Sequence, residues 1–303
     1  FSRKTLVAGK EKRMKRNDGN IIAERTVFIT GSEKNAGKTT FLNYALRSLR
    51  TETTTAFLTI GIDGETKDII FGNPKPQVYT EPEDLLITTD SMISRSGGTF
   101  EIREVFPFKT VLGRLVLLKT LRGGFIELVG PEDNDQLSKI ISYIKEEEGC
   151  QTILIDGAVN RITQVATGID AGFVFVVKIS QQNFKSGLEK IKRFSILEKI
   201  PKFSEDKKGS EVWFHKGAMT ETSIQKIPKD IKTVVVEDFT KIFLSLNQLK
   251  NLQNKKELFF RDVFDLLFVV VNLAGIERDE FLQNLEENNI TDKIVFNPYQ
   301  KDR

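Results

Sequence analysis

Apolar residues along the chain fall into short β-branched and aromatic blocks separated by stretches with helical spacing. That alternation predicts parallel strands joined by crossover helices. The first block, 26–30, runs into a helical pattern over 39–49 with Phe41, Leu42 and Leu46 on one side. A second block covers 53–60, and two more lie at 151–155 and 171–178. None of these alternates with polar residues, as expected of strands covered on both faces. A helix is predicted over 134–147, with Leu137, Ile140, Ile141 and Ile144 on one face, and another follows 178 with Phe184, Leu188, Ile191 and Phe194.

Between 71 and 131 the texture changes. Pro74, Pro76 and Pro82 punctuate short runs at 77–80, 85–89, 100–105 and 114–118, and a further run at 125–129 follows Gly123 and Gly124. Period-two alternation and Gly-Gly turns predict hairpins, so 72–131 reads as an antiparallel β insertion that covers a site or meets a partner. The polar stretch 202–210 is the best boundary. Beyond it strands are expected at 211–215, 233–236, 266–271 and 293–296, and helices at 221–227, 239–249 and 278–287. The fold class is therefore α/β: a mainly parallel sheet with helices on both faces, over 26–201. A basic arm precedes it at 1–25, and a C-terminal α/β extension or lobe follows at 202–303.

The clearest chemistry lies between the first strand and its helix. Gly31, Ser32, Glu33, Lys34, Asn35, Ala36, Gly37, Lys38, Thr39 and Thr40 form a strand–loop–helix passage ending in Gly-Lys-Thr-Thr, the Walker A pattern of a phosphate loop. Backbone N–H groups at a helix N-terminus favour an anion there. Gly37 lets the backbone approach phosphates, Lys38 brings a positive charge, and Thr39 offers a hydroxyl to Mg²⁺. Ser32, Lys34, Asn35, Ala36, Gly37, Lys38, Thr39 and Thr40 are the expected nucleotide-binding set. One departure is visible: the usual first Gly is Ser32 here, with Gly31 one place earlier.

Two carboxylates complete the expected site. Asp156 ends the strand at 151–155, where a carboxylate at a strand tip holds Mg²⁺ together with Thr39. Asp63, in Gly61-Ile62-Asp63-Gly64-Glu65, follows a strand expected beside the first and is placed to orient Mg²⁺ or the attacking water. An Asp-Gly turn accounts for the same residues. Asn160 and Arg161 lie in the loop after Asp156 and could sense a terminal phosphate; a plain surface loop accounts for them equally well.

Composition narrows the choices. With one cysteine, Cys150, and one histidine, His215, the chain has no disulfide framework and no Cys/His zinc site. Cys150 reads as a small buried side chain and His215 as a strand-end residue. Few cysteines fit the cytoplasm. A net charge of +3 over 303 residues gives no general pull toward nucleic acid. The local cluster at Arg3, Lys4, Lys10, Lys12, Arg13, Lys15 and Arg16 lacks interleaved aromatics and reads as a solvated arm, with contact to nucleic acid or an acidic partner as the alternative reading. No apolar run is long enough for a membrane span.

The motif Lys34-Asn35-Ala36-Gly37-Lys38-Thr39-Thr40 resembles the loop of the deviant, SIMIBI-like P-loop NTPases, among them molybdopterin-guanine-dinucleotide accessory proteins and metallo- and cobalamin-chaperone GTPases. Some relatives send a lysine across a dimer interface from the position that is Glu33 here. A narrower likeness, over 26–220, joins Gly61-Ile62-Asp63-Gly64-Glu65, Pro74-Lys75-Pro76, Leu128-Val129-Gly130-Pro131, Asp156-Gly157-Ala158-Val159-Asn160-Arg161 and Gly217-Ala218-Met219-Thr220. In this order they resemble the small P-loop subunit of the lysine/ornithine aminomutase reactivase. The resemblance implies a Mg²⁺- and ATP- or GTP-dependent chaperone that, with a MutS-related ATPase, restores a cobalamin enzyme. The same residues also suit a kinase or ligase with a small-molecule acceptor, or a non-enzymatic nucleotide-binding scaffold. There is no Asn-Lys-x-Asp guanine-reading motif, and oligomeric state is open.

Overall fold

The blocks of apolar sequence form strands, and the amphipathic stretches between them form the helices that cover the sheet. A computed structural model describes residues 19–60, 77–157, 171–204, 211–263, 265–285 and 290–297. In chain order the elements are α1 (Gly19–Ile22), β1 (Thr26–Gly31), α2 (Lys38–Leu49), β2 (Thr55–Thr59), β3 (Val78–Thr80), β4 (Leu85–Thr89), α3 (Asp90–Ile93), β5 (Thr99–Thr110), β6 (Gly113–Arg122) and β7 (Gly124–Ile126). They continue with α4 (Asn134–Glu146), β8 (Thr152–Asp156), β9 (Ala171–Ser180), α5 (Phe184–Leu197), β10 (Val212–Phe214), α6 (Glu221–Ile224) and β11 (Thr233–Val236). The last are α7 (Leu246–Gln253), β12 (Glu257–Phe260), β13 (Asp265–Ala274), α8 (Arg278–Gln283) and β14 (Ile294–Phe296).

The central sheet has nine strands in the order β14-β13-β9-β1-β8-β2-β4-β6-β5. From β14 to β4 every pairing is parallel; β6 then runs antiparallel to β4, and β5 antiparallel to β6. Period two along the strands sorts side chains to opposite faces. Val27, Ile29, Phe57, Leu154, Val174 and Val176 meet Phe41, Leu42 and Leu46 of α2 on one face. On the other, Phe28, Leu58, Ile153, Ile155, Phe173 and Phe175 meet Ile140 and Ile144 of α4 and Leu188 and Ile191 of α5. The class is thus mixed α/β with a large, mostly parallel central sheet and helices on both faces.

Several expectations change in detail. The strand before Asp63 is β2, and it is not beside β1: β8 lies between them. The antiparallel segments at 77–131 are real, but β4 and the β5–β6 hairpin extend the central sheet at the edge away from β1, while β3 and β7 pair separately beside α2. After 202, β10, β11 and β12 form a separate parallel sheet, whereas β13 and β14 return to the central one. The helix expected over 239–249 is broken. Asp238 caps a 3₁₀ turn at Phe239–Lys241, Ile242 bridges to Met219, and α7 starts only after the Ser245–Gln248 capping box. Strand β12, Glu-Leu-Phe-Phe, was not predicted: unlike the equally short β11, Thr-Val-Val-Val, it holds no β-branched residue. Residues 1–18 of the basic arm lie outside the described residues; the arm's last turn, α1, buries Ile22 beneath α2.

The two predicted singletons sit as expected. His215 directly follows β10, its N–H donating to the Val235 carbonyl. Cys150 is buried just before β8, and burial pushes its thiol up to about 11.

The C-terminal end of α2 is fixed by a charged clasp. The Arg50 guanidinium donates from Nη2 to Asp84 Oδ2 at 2.6 Å and to the Tyr79 carbonyl at 2.7 Å, and from Nη1 to Glu81 Oε1 at 2.9 Å. Burial holds the Asp84 carboxyl above its ordinary value, outweighing the hydrogen bonds from Arg50 and the Glu81 N–H that act to lower it. Removing the guanidinium leaves a buried charge without compensation. Arg50→Ala is therefore expected to lose about 3 kcal/mol in denaturant unfolding at neutral pH. Because the Asp84 pKa then rises further above its unfolded value, this deficit shrinks as the pH is lowered through the carboxylate range. A deficit independent of pH would show that the clasp acts through packing alone.

Candidate functional site

The site lies at the C-terminal ends of the parallel strands, where the chain order reverses about β1. From β1 the chain crosses to β2 on one side, and later β9 and β13 fill the other. Such a reversal opens a crevice at the strand tips. Into it projects the loop between β1 and α2.

Local backbone chemistry shapes that loop. Asn35 and Gly37 both have positive φ, 61° and 107°. Asn is among the few side chains that tolerate this region, and Gly adopts it without cost. Ala36 between them is buried, whereas Glu33, Lys34, Asn35 and Thr40 are exposed. Helix α2 begins at Lys38 with Gly37 as its N-cap, so no side chain caps it, and its first turn holds no acidic residue. The positive end of a twelve-residue helix therefore faces the crevice without an acidic residue of its own first turn.

The departure at Ser32 has a structural counterpart. The Ser32 N–H donates to the Val176 carbonyl at 2.9 Å, which continues the β1–β9 ladder. Ser32 thus belongs to the strand end, its N–H engaged in the β1–β9 ladder. Gly31 instead makes room for the lysine: a Cβ there would lie 3.1 Å from Cγ and Cδ of Lys38. The Lys38 stem folds back over Gly31, so the early glycine serves the lysine's path.

Parity brings the two oxygen donors together. Asp156 follows Leu154 by two residues in β8, which puts its side chain on the face covered by α2. The Thr39 hydroxyl, in the first turn of α2, donates to Asp156 Oδ2 at 3.2 Å. The Asp156 backbone is itself pinned, its carbonyl accepting from Thr59 Oγ1 at 3.0 Å and from the Ile60 N–H at 2.9 Å. Gly130 packs against the same strand end, where an added Cβ would fall 1.6 Å from the Thr59 carbonyl oxygen. Gly130 and the tips of β2 and β8 therefore share one junction. Asp63, Asn160 and Arg161 lie outside the described residues.

One participant escaped the sequence reading. Asn272, near the end of β13, donates from Nδ2 to the Ala36 carbonyl. The strand was expected to stop at 271, yet Asn272 is the single polar residue in the run from Leu266 to Leu273. A polar side chain interrupting an apolar strand near its C-terminal end is the signal that could have found it.

Among the described residues, no cluster of three or more His, Cys, Asp or Glu side chains could hold a metal. A hydroxyl and one carboxylate are the donor set of an ion completed by water and phosphate oxygens, as Mg²⁺ prefers, rather than of an all-protein cage. No family model matches the chain, and no curated protein matches it.

Gly37 gives a direct test of the loop's construction. A Cβ at 37 would lie 2.5 Å from Asn272 Nδ2 and would also carry the φ of 107°. Gly149, at φ 64° with nothing within 4 Å, carries the backbone term alone. Gly149→Ala is expected to cost about 1 kcal/mol in thermal or denaturant unfolding. Gly37→Ala should cost at least ~1 kcal/mol more, from crowding against Asn272. Equal losses would show that the loop gives way freely.

Proposed function

We propose that this protein is a Mg²⁺-dependent nucleoside triphosphatase of the P-loop type that works as a nucleotide switch. The observation that carries the reading is the 3.2 Å contact between the Thr39 hydroxyl and the Asp156 carboxylate, at the open N-terminus of α2. Phosphoryl transfer demands positioning and charge neutralisation more than covalent chemistry, and these residues supply both.

In this reading the loop backbone at 33–39 and the helix dipole hold phosphate oxygens, and Lys38 adds a compact positive charge over them. Thr39 and Asp156 would hold Mg²⁺, which, when bound, neutralises charge on the terminal phosphates. Asp63 would orient the attacking water. The segments that follow β2 and β8 begin at the tips that flank Asp156, so a change at the terminal phosphate would act on them first. The resemblance in the sequence suggests what such a switch serves: a protein client, here a cobalamin-dependent aminomutase, with a partner ATPase.

Equilibrium titration of ATP and GTP with and without Mg²⁺ tests the reading. Micromolar or tighter binding that needs Mg²⁺ is expected. Lys38→Ala should weaken it about a hundred-fold, the effect of losing a charge-assisted contact worth roughly 3 kcal/mol. Thr39→Ala and Asp156→Asn should chiefly remove the Mg²⁺ dependence. Phosphate release without an added acceptor separates a triphosphatase from a kinase, which would be nearly silent. Binding that is unchanged in Lys38→Ala would contradict the proposal and favour a scaffold with a degenerate loop.

A further inference from the structure

The contact from Asn272 to Ala36 spans 236 residues of sequence and joins the C-terminal part of the chain to the loop. Its geometry follows from the sheet. Gly31 at the end of β1 is level with Val176 of β9, and Asn272 of β13 is level with Lys178. Asn272 therefore stands two residues above the end of β1, roughly 7 Å at a strand's rise per residue, which is the height of the loop. Parity with Phe268 and Val270 turns its side chain to the face that α2 covers. From there it reaches over β9 to the loop.

The amide's orientation is set by its partner. A carbonyl oxygen accepts only from an N–H or O–H, so the end of the amide touching Ala36 is Nδ2. The other end, Oδ1, is buried and accepts no hydrogen bond among the described residues. Leaving an acceptor dry is costly, and a substituent that merely filled space would avoid it. The donor is thus the useful end. It fixes the carbonyl of the buried residue between the two left-handed positions, Asn35 and Gly37. It also packs closely on Gly37, where an added Cβ would lie 2.5 Å from Nδ2. A peptide plane held by its oxygen on one side must present its N–H on the other. Anchoring the Ala36 carbonyl therefore orients the Gly37 N–H as well.

We propose that Asn272 is a positioning residue for the phosphate loop: by holding the Ala36 carbonyl it keeps the loop backbone turned toward the anion. Nucleotide affinity thereby depends on the C-terminal strand β13. This inference rests on reading the loop as a phosphate cradle. It adds that the cradle is not self-sufficient and that the part of the chain after residue 264 is required for its shape. A segment carrying only the β1–α2 passage and β8 would hold the right residues on a looser backbone.

The test compares three substitutions in the full chain, reading Mg²⁺-nucleotide affinity and thermal stability side by side. Asn272→Ala removes the donor, Asn272→Asp keeps the shape but opposes an acceptor to the Ala36 carbonyl, and Asn272→His changes the shape but keeps a ring N–H at the δ position. Affinity is expected to follow the donor. It should fall about ten-fold in Asn272→Ala, the loss of one net hydrogen bond. It should fall further, about a hundred-fold, in Asn272→Asp, where a repulsive contact replaces the bond. It should be largely restored in Asn272→His. Stability should fall in Asn272→Asp as well, because a carboxylate is buried against a carbonyl, and in Asn272→His from the altered shape, so affinity and stability part company in Asn272→His.

Affinity that follows shape, with Asn272→Asp equal to the wild type, would overturn the inference and reduce Asn272 to a packing residue. If Asn272→His does not fold, the order of the other two decides, since Asn272→Asp above Asn272→Ala contradicts the proposal. The wild type and Lys38→Ala run alongside keep the two claims apart. No nucleotide binding by the wild type would refute the cradle itself. Wild-type binding lost in Lys38→Ala but untouched at position 272 would refute only the role of Asn272.

Discussion

The structure depends on one turn of backbone, from the end of β1 into α2, that must reverse direction around the buried Ala36. Two left-handed residues make the turn, and neighbouring strands hold it from below. The Ser32 N–H is tied to β9 and the Ala36 carbonyl to β13. A helix start with neither a capping side chain nor an acidic first turn leaves its positive end uncompensated by the helix's own residues. A buried Ala36 between exposed Asn35 and half-buried Gly37 shows that the loop is packed on one side and open on the other.

The sheet's architecture explains why the oxygen donors converge. Strand β8 lies directly beside β1, so its tip, Asp156, comes level with the first turn of α2. The β2 tip is bonded to the Asp156 backbone from the far side. These three tips form one rigid corner built from ladder hydrogen bonds, and the charged clasp of Arg50 secures the other end of α2. The helix is therefore held at both ends: by Arg50 to the β3–β4 turn and by Thr39 to β8. Such double attachment fixes the helix against the sheet at both of its ends.

Much of this was legible in the sequence, and what was not has a common cause. The β1–α2 passage, Asp156, and the strands at 151–155 and 171–178 are set by local pattern: apolar blocks, a Gly-Lys-Thr-Thr run, a polar tip. Cys150 and His215 fell where their neighbours implied. Strand order did not emerge, because nothing in 53–60 says that β8 will insert between it and β1. The antiparallel hairpins were visible, but their fusion to the sheet edge through β4 depends on pairing with β2, a contact distant in sequence. Asn272 was missed for the same reason. Its role exists only once β13 is known to lie two strands from β1. The break at 242–245 was hidden because Asp238 and Ser245 each start a new element inside a stretch whose apolar spacing reads as one helix.

Hydrogen–deuterium exchange of the full chain, with and without Mg²⁺ and a non-hydrolysable nucleotide, addresses the central claim most directly, because it maps where the anion is held. The account predicts slowed exchange confined to the peptides covering 32–41 and the tip of β8, with a smaller effect at the end of β13, and none of it without Mg²⁺. Unchanged exchange in the β1–α2 peptide, while the nucleotide protects some other part of the chain, would contradict it.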